Sequence, residues 1–318
     1  MEKIQKNDYE ILKNYALDLG FSLIGITKPI IKKEDYLYLK DFIENKKYAN
    51  MHWFSNYKEI RLHPYSILKQ CKSVLVLAYY YKDKNYDFTL KNYKIKISRY
   101  AVGKDYHKVL KKKLKKIEMF LKKLYLNIQT RTTVDSAPVP EKLLAKYSGI
   151  GWQGKNTNII NKKLGSYFFL SCIFTNLEIS EDIEIQEEKD HCKGCTLCIR
   201  SCPTGALKPY QLEVEKCISY LTIESKEIIK DSYAPLLQGW IFGCDICQEV
   251  CPFNTKAKNL TTSDPNFFLR EEIKEILQKK PDLEFWNHLL NSPLKRVKWE
   301  IFKANYGLLQ NYTKISTE

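Results

Sequence analysis

Apolar positions recur at helical spacing in some stretches of the chain and as short unbroken runs in others. Residues 8–19 place Leu12, Tyr15, Ala16 and Leu19 on one helical face, with Gly20 behind them as a C-terminal cap. Phe21 to Thr27 is a short apolar run and predicts a strand, residues 35–47 predict a helix, and Val74 to Tyr81 predicts a buried strand. Residues 104–125 carry the strongest periodicity: Leu110, Leu114, Ile117, Leu121 and Leu124 alternate at spacings of four and three. Ile128 to Val134 predicts another strand, with a turn at Asp135-Ser136-Ala137-Pro138. Residues 140–148 predict a short helix ending at Gly149, and Gly165 to Thr175 a further strand. Strands alternating with helices predict an α/β domain over residues 1–180. An acidic stretch, Glu181 to Asp190, leads into a cysteine-rich domain over 181–258, and a short helical segment follows over 259–318.

Charge adds a second layer. The net charge is +15, and Lys108, Lys111, Lys112, Lys113, Lys115, Lys116, Lys122 and Lys123 crowd the polar face of the 104–125 helix. That face reads either as solvated or as facing phosphates. A basic balance favours a polyanionic partner, although abundant Lys, Asn, Ile and Tyr are also what an AT-rich genome produces. No apolar run is long enough to span a bilayer, and the first 20 residues show neither a signal-peptide pattern nor a twin arginine. A cytoplasmic, non-membrane protein is therefore expected.

Ten cysteines in a cytosolic chain do not read as disulfides. Cys71 and Cys172 stand alone, whereas the other eight fall between Cys192 and Cys251. The first block is Cys192-x2-Cys195-x2-Cys198-x3-Cys202-Pro203, the bacterial ferredoxin run. Three cysteines so spaced can curl around one cubane, while the fourth, followed by proline, turns toward a second cluster. Cys217, then Cys244-x2-Cys247-x3-Cys251-Pro252, forms a second half whose first cysteine is displaced in sequence. Crossed ligation assigns Cys192, Cys195, Cys198 and Cys251 to cluster one, and Cys202, Cys217, Cys244 and Cys247 to cluster two. Two all-thiolate zinc sites would use the same number of cysteines, but zinc ribbons do not need the full ferredoxin run. Two 4Fe–4S clusters in a ferredoxin-like domain make a short electron wire, and the remaining domain is where an acceptor belongs.

The stretch from Val134-Asp135-Ser136-Ala137-Pro138 through Glu141-Lys142 to Gly149-Ile150-Gly151-Trp152-Gln153-Gly154-Lys155-Asn156-Thr157 ends a strand on an acidic residue and packs three glycines into one loop. Beyond the carboxyl end of a strand in an open α/β sheet is where ligands sit, and glycines admit close approach. By itself Asp135 also reads as a turn residue. The glycines do not form the dinucleotide-binding pattern, and the D-x-H-x-x-G cobalamin-ligand motif is absent, since Lys189 stands where its Asp is needed before His191.

This stretch, with both cysteine blocks, resembles the epoxyqueuosine reductases, which complete queuosine biosynthesis at the wobble position of tRNA. The resemblance extends to Met51-His52-Trp53 with Arg61 and Pro64, to Ser98 through His107, to Cys217 through Glu224, to Gly239 through Asp245, and to Pro293-Leu294-Lys295-Arg296. It implies a base-off cobalamin, hence cobalt, held between the α/β domain and the cluster domain, and a catalytic Asp that maps onto Asp135. It further implies cofactor contacts at Arg61, Tyr100, Asp135, Trp152, Gln153, Gly154, Lys155, Asn156, Thr157, Asn158, Ser219, Thr222, Gly243 and Asp245. Implied partners are tRNAs with GUN anticodons and an external electron donor, with the chain acting as a monomer. Many members of the family carry a helical-repeat extension, and this chain ends at Glu318, too early for a full one.

The implied reaction removes an epoxide oxygen with two electrons and two protons. Asp135 would give a proton to that oxygen, kept neutral by burial beside the corrin. Tyr100, Tyr106, His107 and Lys155 are the next candidates for the proton or for orientation. Competing readings are a reductive-dehalogenase-like enzyme, a ferredoxin-type electron carrier, and a tRNA-binding protein with structural clusters.

Overall fold

The computed structural model describes residues 2–315. Its central sheet has four strands: β1 (Leu23–Thr27), β2 (Ser73–Tyr80), β3 (Thr130–Thr133) and β4 (Phe168–Thr175). Their order is β1-β2-β4-β3, and every neighbouring pair is antiparallel. β2 and β4 pair in register from Ser73 opposite Thr175 to Tyr80 opposite Phe168. The α/β expectation thus holds for the content of this region, and the sense of its strands, which the sequence reading left open, is antiparallel. Connections tens of residues long, each carrying helices, can return a strand in either direction, so the alternation of elements could not decide it.

β2 is buried on both faces, and its alternation divides the domain. Leu75, Leu77 and Tyr79 join one core with Leu12 and Ala16 of α1 (Lys6–Asp18) and Leu110, Leu114, Ile117 and Leu121 of α2 (Tyr106–Leu124). Val74, Val76 and Ala78 join the other core with Leu144 and Ala145 of α3 (Glu141–Tyr147). Each Leu or Ile on the α2 stripe is worth roughly 1.5–3 kcal/mol of burial. The first turn of α2 is capped by Asp105, whose carboxylate accepts the His107 amide at 3.0 Å. Lysines 108, 111, 112, 115, 116, 122 and 123 are exposed, as the sequence predicts. Lys113 departs from that face: its Nζ donates to the Leu19 carbonyl at 2.9 Å and lies 3.4 Å from the Asp264 carboxylate.

The segment 259–318, as far as it is described, does not stand apart. Trp240 and Phe242 pair in parallel with Lys96 and Ile97, and a third core mixes Ile97 and Ala101 with Trp240, Phe242, Trp286, Leu294, Phe302 and Tyr306. Residues that precede α2, residues of the cysteine region and residues of the C-terminal helices therefore share one apolar interior. Arg99 ties it together electrostatically. Buried beside the fully buried Asp245, it meets Asp87 at 2.6 Å, Asp245 at 3.0 Å and Glu249 at 2.7 Å. Among the described residues no helix is long and apolar enough to cross a membrane.

Candidate active site

β3 ends at Thr133, and the chain turns immediately. Asp135 has φ +53°, the left-handed region that costs an L-residue about 1 kcal/mol. The turn aims its carboxylate at the start of α2. Tyr106 Oη donates to Asp135 Oδ2 at 2.6 Å, and His107 Nε2 lies 3.6 Å from the same oxygen. His107 Nδ1 is held by Asp105 Oδ1 at 2.8 Å, so a carboxylate faces each side of the imidazole. Phe169 of β4 stacks on Tyr106 with centroids 4.2 Å apart and fixes the phenol's direction.

Charge follows from this geometry. Burial works against the His107 imidazolium, but hydrogen bonds with Asp105 and Asp135 outweigh it and push its pKa up to about 9. Desolvation raises the Asp135 carboxyl, yet hydrogen bonds from His107 and Tyr106, helped by the His107 and Arg296 charges, pull it down to about 2. The side chain is 58% exposed. At neutral pH the proton therefore sits on His107, and Asp135 is a carboxylate. This departs from the neutral acid expected from burial, because two donors converge on one oxygen atom. Glu141, the first residue of α3, is pushed up to about 8 by desolvation and by the Asp135 charge.

The cleft above Asp135 holds about 430 Å³ and is lined mainly by apolar groups, among them Trp53, Phe54, Ala137, Val139, Phe168 and Leu170. Arg61 closes one side. It is 7% exposed, its guanidinium lies 4.2 Å from the Phe54 ring centroid, and its Nε has no hydrogen-bond partner. Arg99, buried to a similar degree, has three carboxylates; Arg61 has none within ion-pairing distance among the described residues. Aromatic faces and the more distant Asp135 charge offset only part of the cost of a buried cation that has no carboxylate partner. Arg61→Met is therefore expected to stabilise the ligand-free protein by about 1 kcal/mol or more. That should appear as a higher denaturation midpoint; a lower midpoint would mean that the arginine is a structural prop.

A second cavity, of about 260 Å³, is lined by Cys202, Cys217, Cys244 and Cys247. These residues are distant in sequence and form the set that crossed ligation predicts. The other four gather behind Trp152. Its indole Nε1 donates to Cys192 Sγ at 3.5 Å, Cys251 packs in the same group, and the Cys198 thiol is pushed up by burial and then by neighbouring Cys192, Cys251 and Cys195. The second set rings a space instead of converging on a point, which fits a cubane. Among the described residues no His, Cys, Asp or Glu trio closes on a single-ion site. Lys142 lines both the apolar cleft and the second cavity, and its Nζ donates to Thr157 O at 3.1 Å and Asn158 Oδ1 at 3.2 Å. The cleft and the thiols of Cys217 and Cys247 thus meet across one residue.

Comparison with known proteins agrees with this layout. A family model described as "Epoxyqueuosine reductase QueG, DUF1730" matches residues 61–136, and a "4Fe-4S double cluster binding domain" matches residues 191–254. An epoxyqueuosine reductase of Leadbetterella byssophila is 38% identical over 302 residues, covering 94% of this chain and 97% of that one. The chain belongs to the epoxyqueuosine reductase family. The Cyclobacterium marinum epoxyqueuosine reductase is 37% identical over 314 residues, 98% of this chain and 99% of that one. Among solved structures, an epoxyqueuosine reductase with a tRNA-Tyr epoxyqueuosine-modified stem loop superposes with TM-score 0.79 at 29% identity. It covers 97% of this chain and 82% of that chain.

Within this epoxyqueuosine reductase family member the fourteen positions taken from the resemblance divide into groups. Arg61, Asp135 and Gln153 line the apolar cleft. Tyr100, Asn156, Thr157, Asn158, Ser219 and Asp245 line the second cysteine cavity. Trp152 and Lys155 serve the first cysteine group: Lys155 Nζ donates to the carbonyls of Lys193 and Cys195, the latter at 3.1 Å. Thr222 is buried, donates to Ile218 O at 2.7 Å and accepts the Gly243 amide at 2.9 Å; Asp245 accepts Arg99 and Ser98, so these hold the backbone. The glycines do not open a path for a ligand. A Cβ at Gly149, Gly151 or Gly154 would strike Gln186 O, Ile160 O or the Ile160 side chain at 2.5, 2.2 and 2.4 Å, so their smallness serves internal packing. Sequence reasoning passed over Glu141 and Lys142 as site residues. Their only signal is adjacency to Pro138 and Pro140, which aim a helix start back at Asp135.

Proposed function

We propose that this protein reduces epoxyqueuosine to queuosine at the wobble position of tRNA, with Asp135 delivering a proton to the departing oxygen. The observation that carries this reading is the meeting of the Asp135–Tyr106–His107 constellation with a four-thiol cavity across Lys142. The epoxide oxygen leaves as water, two C–O bonds break, and two electrons and two protons are consumed. The two cysteine sets would hold two 4Fe–4S clusters, cluster one on Cys192, Cys195, Cys198 and Cys251, and cluster two on Cys202, Cys217, Cys244 and Cys247. An external donor would feed them, and the second set adjoins the cleft through Lys142. Cobalamin, whose cobalt supplies a strongly nucleophilic reductant when bound, would lie in the apolar cleft. The fit rests on the cleft's aromatic lining and on the buried Arg61 Nε, which has no hydrogen-bond partner.

The side chains then divide the work. Tyr106 orients the Asp135 carboxylate, and Asp105 orients the imidazole. His107 stores the proton at neutral pH. When a substrate seals the cleft mouth, water leaves, the desolvation that raises the Asp135 carboxyl grows, and the proton can pass from His107 Nε2 to Asp135 Oδ2 and on to the oxygen. Exposed lysines on α2 and the basic segment around Lys295 and Lys298 suit a phosphate backbone.

Anaerobic protein with reconstituted clusters, cobalamin and a strong reductant is expected to convert epoxyqueuosine to queuosine in tRNAs for aspartate, asparagine, histidine and tyrosine, read by nucleoside mass spectrometry. Binding should weaken steeply with salt. Unchanged epoxyqueuosine in that assay would sink the reading.

A further inference from the structure

We infer that Glu141 is the clasp that holds the Asp135 loop in its working position, making it a positioning residue for the proposed reaction. The inference rests on Asp135 being the proton-delivering residue. Asp135 sits in left-handed backbone, and Ser136 N closes a tight turn onto Val134 O at 2.5 Å. Pro138 and Pro140 contribute no amide donors. The remaining backbone bonds of the loop are local, Val139 N to Ala137 O at 2.8 Å and Glu141 N to Val139 O at 3.0 Å. Beside the 3.6 Å approach of His107 Nε2 to the carboxylate, two side-chain interactions tie the Asp135 end to the rest of the molecule. One is the bond from Tyr106 to the carboxylate. The other is the Glu141 carboxyl, which accepts the Asp135 amide at 3.1 Å on one oxygen and 3.2 Å on the other.

The clasp is itself anchored. Thr133, 2% exposed on β3, donates its hydroxyl to Glu141 Oε1 at 2.9 Å. A hydrogen-bonded path therefore runs from the sheet through Thr133 and Glu141 to the Asp135 amide, and α3 supplies the other fixed end. The path bypasses the carboxylate that does the chemistry, so it can hold the loop while the Asp135 side chain exchanges protons with His107. A carboxyl group is suited to this place because burial and the Asp135 charge keep it largely neutral at pH 7. A neutral acceptor grips the amide without adding a second negative charge beside Asp135. Gln is the same shape and also neutral, whereas Ala removes the grip.

The test uses the cluster-loaded protein carrying Glu141→Ala or Glu141→Gln. Two quantities are read: hydrogen–deuterium exchange of the 134–140 segment, and kcat and KM on epoxyqueuosine tRNA. Glu141→Ala is expected to speed exchange by about tenfold, the loss of one hydrogen bond of ordinary strength. It should lower kcat by about 10–100-fold, as a displaced catalytic group does, with KM within about threefold of wild type if ground-state binding is untouched. Glu141→Gln should restore both. Wild-type exchange in Glu141→Ala overturns the clasp, and so does Glu141→Gln matching Glu141→Ala, since shape would then not be what matters. Faster exchange with unchanged kcat leaves the clasp standing and removes Asp135 from the proton's path. Should Glu141→Ala not accumulate folded, Thr133→Val deletes the anchoring hydroxyl on a side chain of the same shape. Faster exchange is then expected, and wild-type exchange overturns the proposal.

Discussion

Turnover by Cys202→Ser is expected to fall below detection, with iron dropping from about eight to about four per chain. Cys202 follows Cys192, Cys195 and Cys198 in one continuous run, and proximity alone would assign it to their cluster. The fold sends it elsewhere. It lines the cavity shared with Cys217, Cys244 and Cys247, the one that adjoins the cleft through Lys142. The surviving cluster should therefore be the one on Cys192, Cys195, Cys198 and Cys251, still visible by electron paramagnetic resonance after reduction. Because the lost cluster is the one facing the cleft, a remaining distant cluster cannot substitute for it. Cys198→Ser is the matched control and should remove the other signal. Loss of the same signal in both variants would refute crossed ligation, and stoichiometric zinc in place of iron would refute the clusters.

Asp135→Asn is expected to lower kcat by about 10²–10⁴-fold, the range over which general acid catalysis contributes. Asn keeps the size and can still accept from Tyr106, so cluster content and the fold should persist. The pH profile provides a second readout. The donor must carry its proton, and His107 holds that proton up to about pH 9. Wild-type turnover should therefore hold through neutrality and decline as pH rises through about 9. In Asp135→Asn, the imidazolium loses one of the two carboxylates that raise it, so the same limb should move to lower pH. Near-normal turnover in Asp135→Asn would pass the proton's path to Tyr106, Tyr100 or His107. Loss of the folded protein or of both clusters would return Asp135 to the role of a turn residue.

Some of this molecule is decided by local spacing, and the sequence by itself determines that part. The α2 stripe from Leu110 to Leu121 is one, because a helix repeats every 3.6 residues wherever it packs. The alternation of Val74 through Tyr79 is another, because a strand shows its residues to opposite faces whatever lies there. The ferredoxin spacing of Cys192 to Cys202 belongs here too, since a cubane dictates the intervals. The family likeness was legible for the same reason: its motifs are short, contiguous runs. The tertiary structure decided what depends on return paths through space. It set the antiparallel sense of the sheet, which long helical connections leave open. It brought Arg296 into the electrostatic neighbourhood of Asp135, across a separation no pattern measures. It also decided protonation. A carboxyl in an apolar cleft reads as neutral until Tyr106 and His107 are seen to converge on one oxygen, and Glu141 reads as a helix start until its side chain is seen to turn back. Those are sums of distances, and distances between residues remote in sequence exist only once the chain has folded.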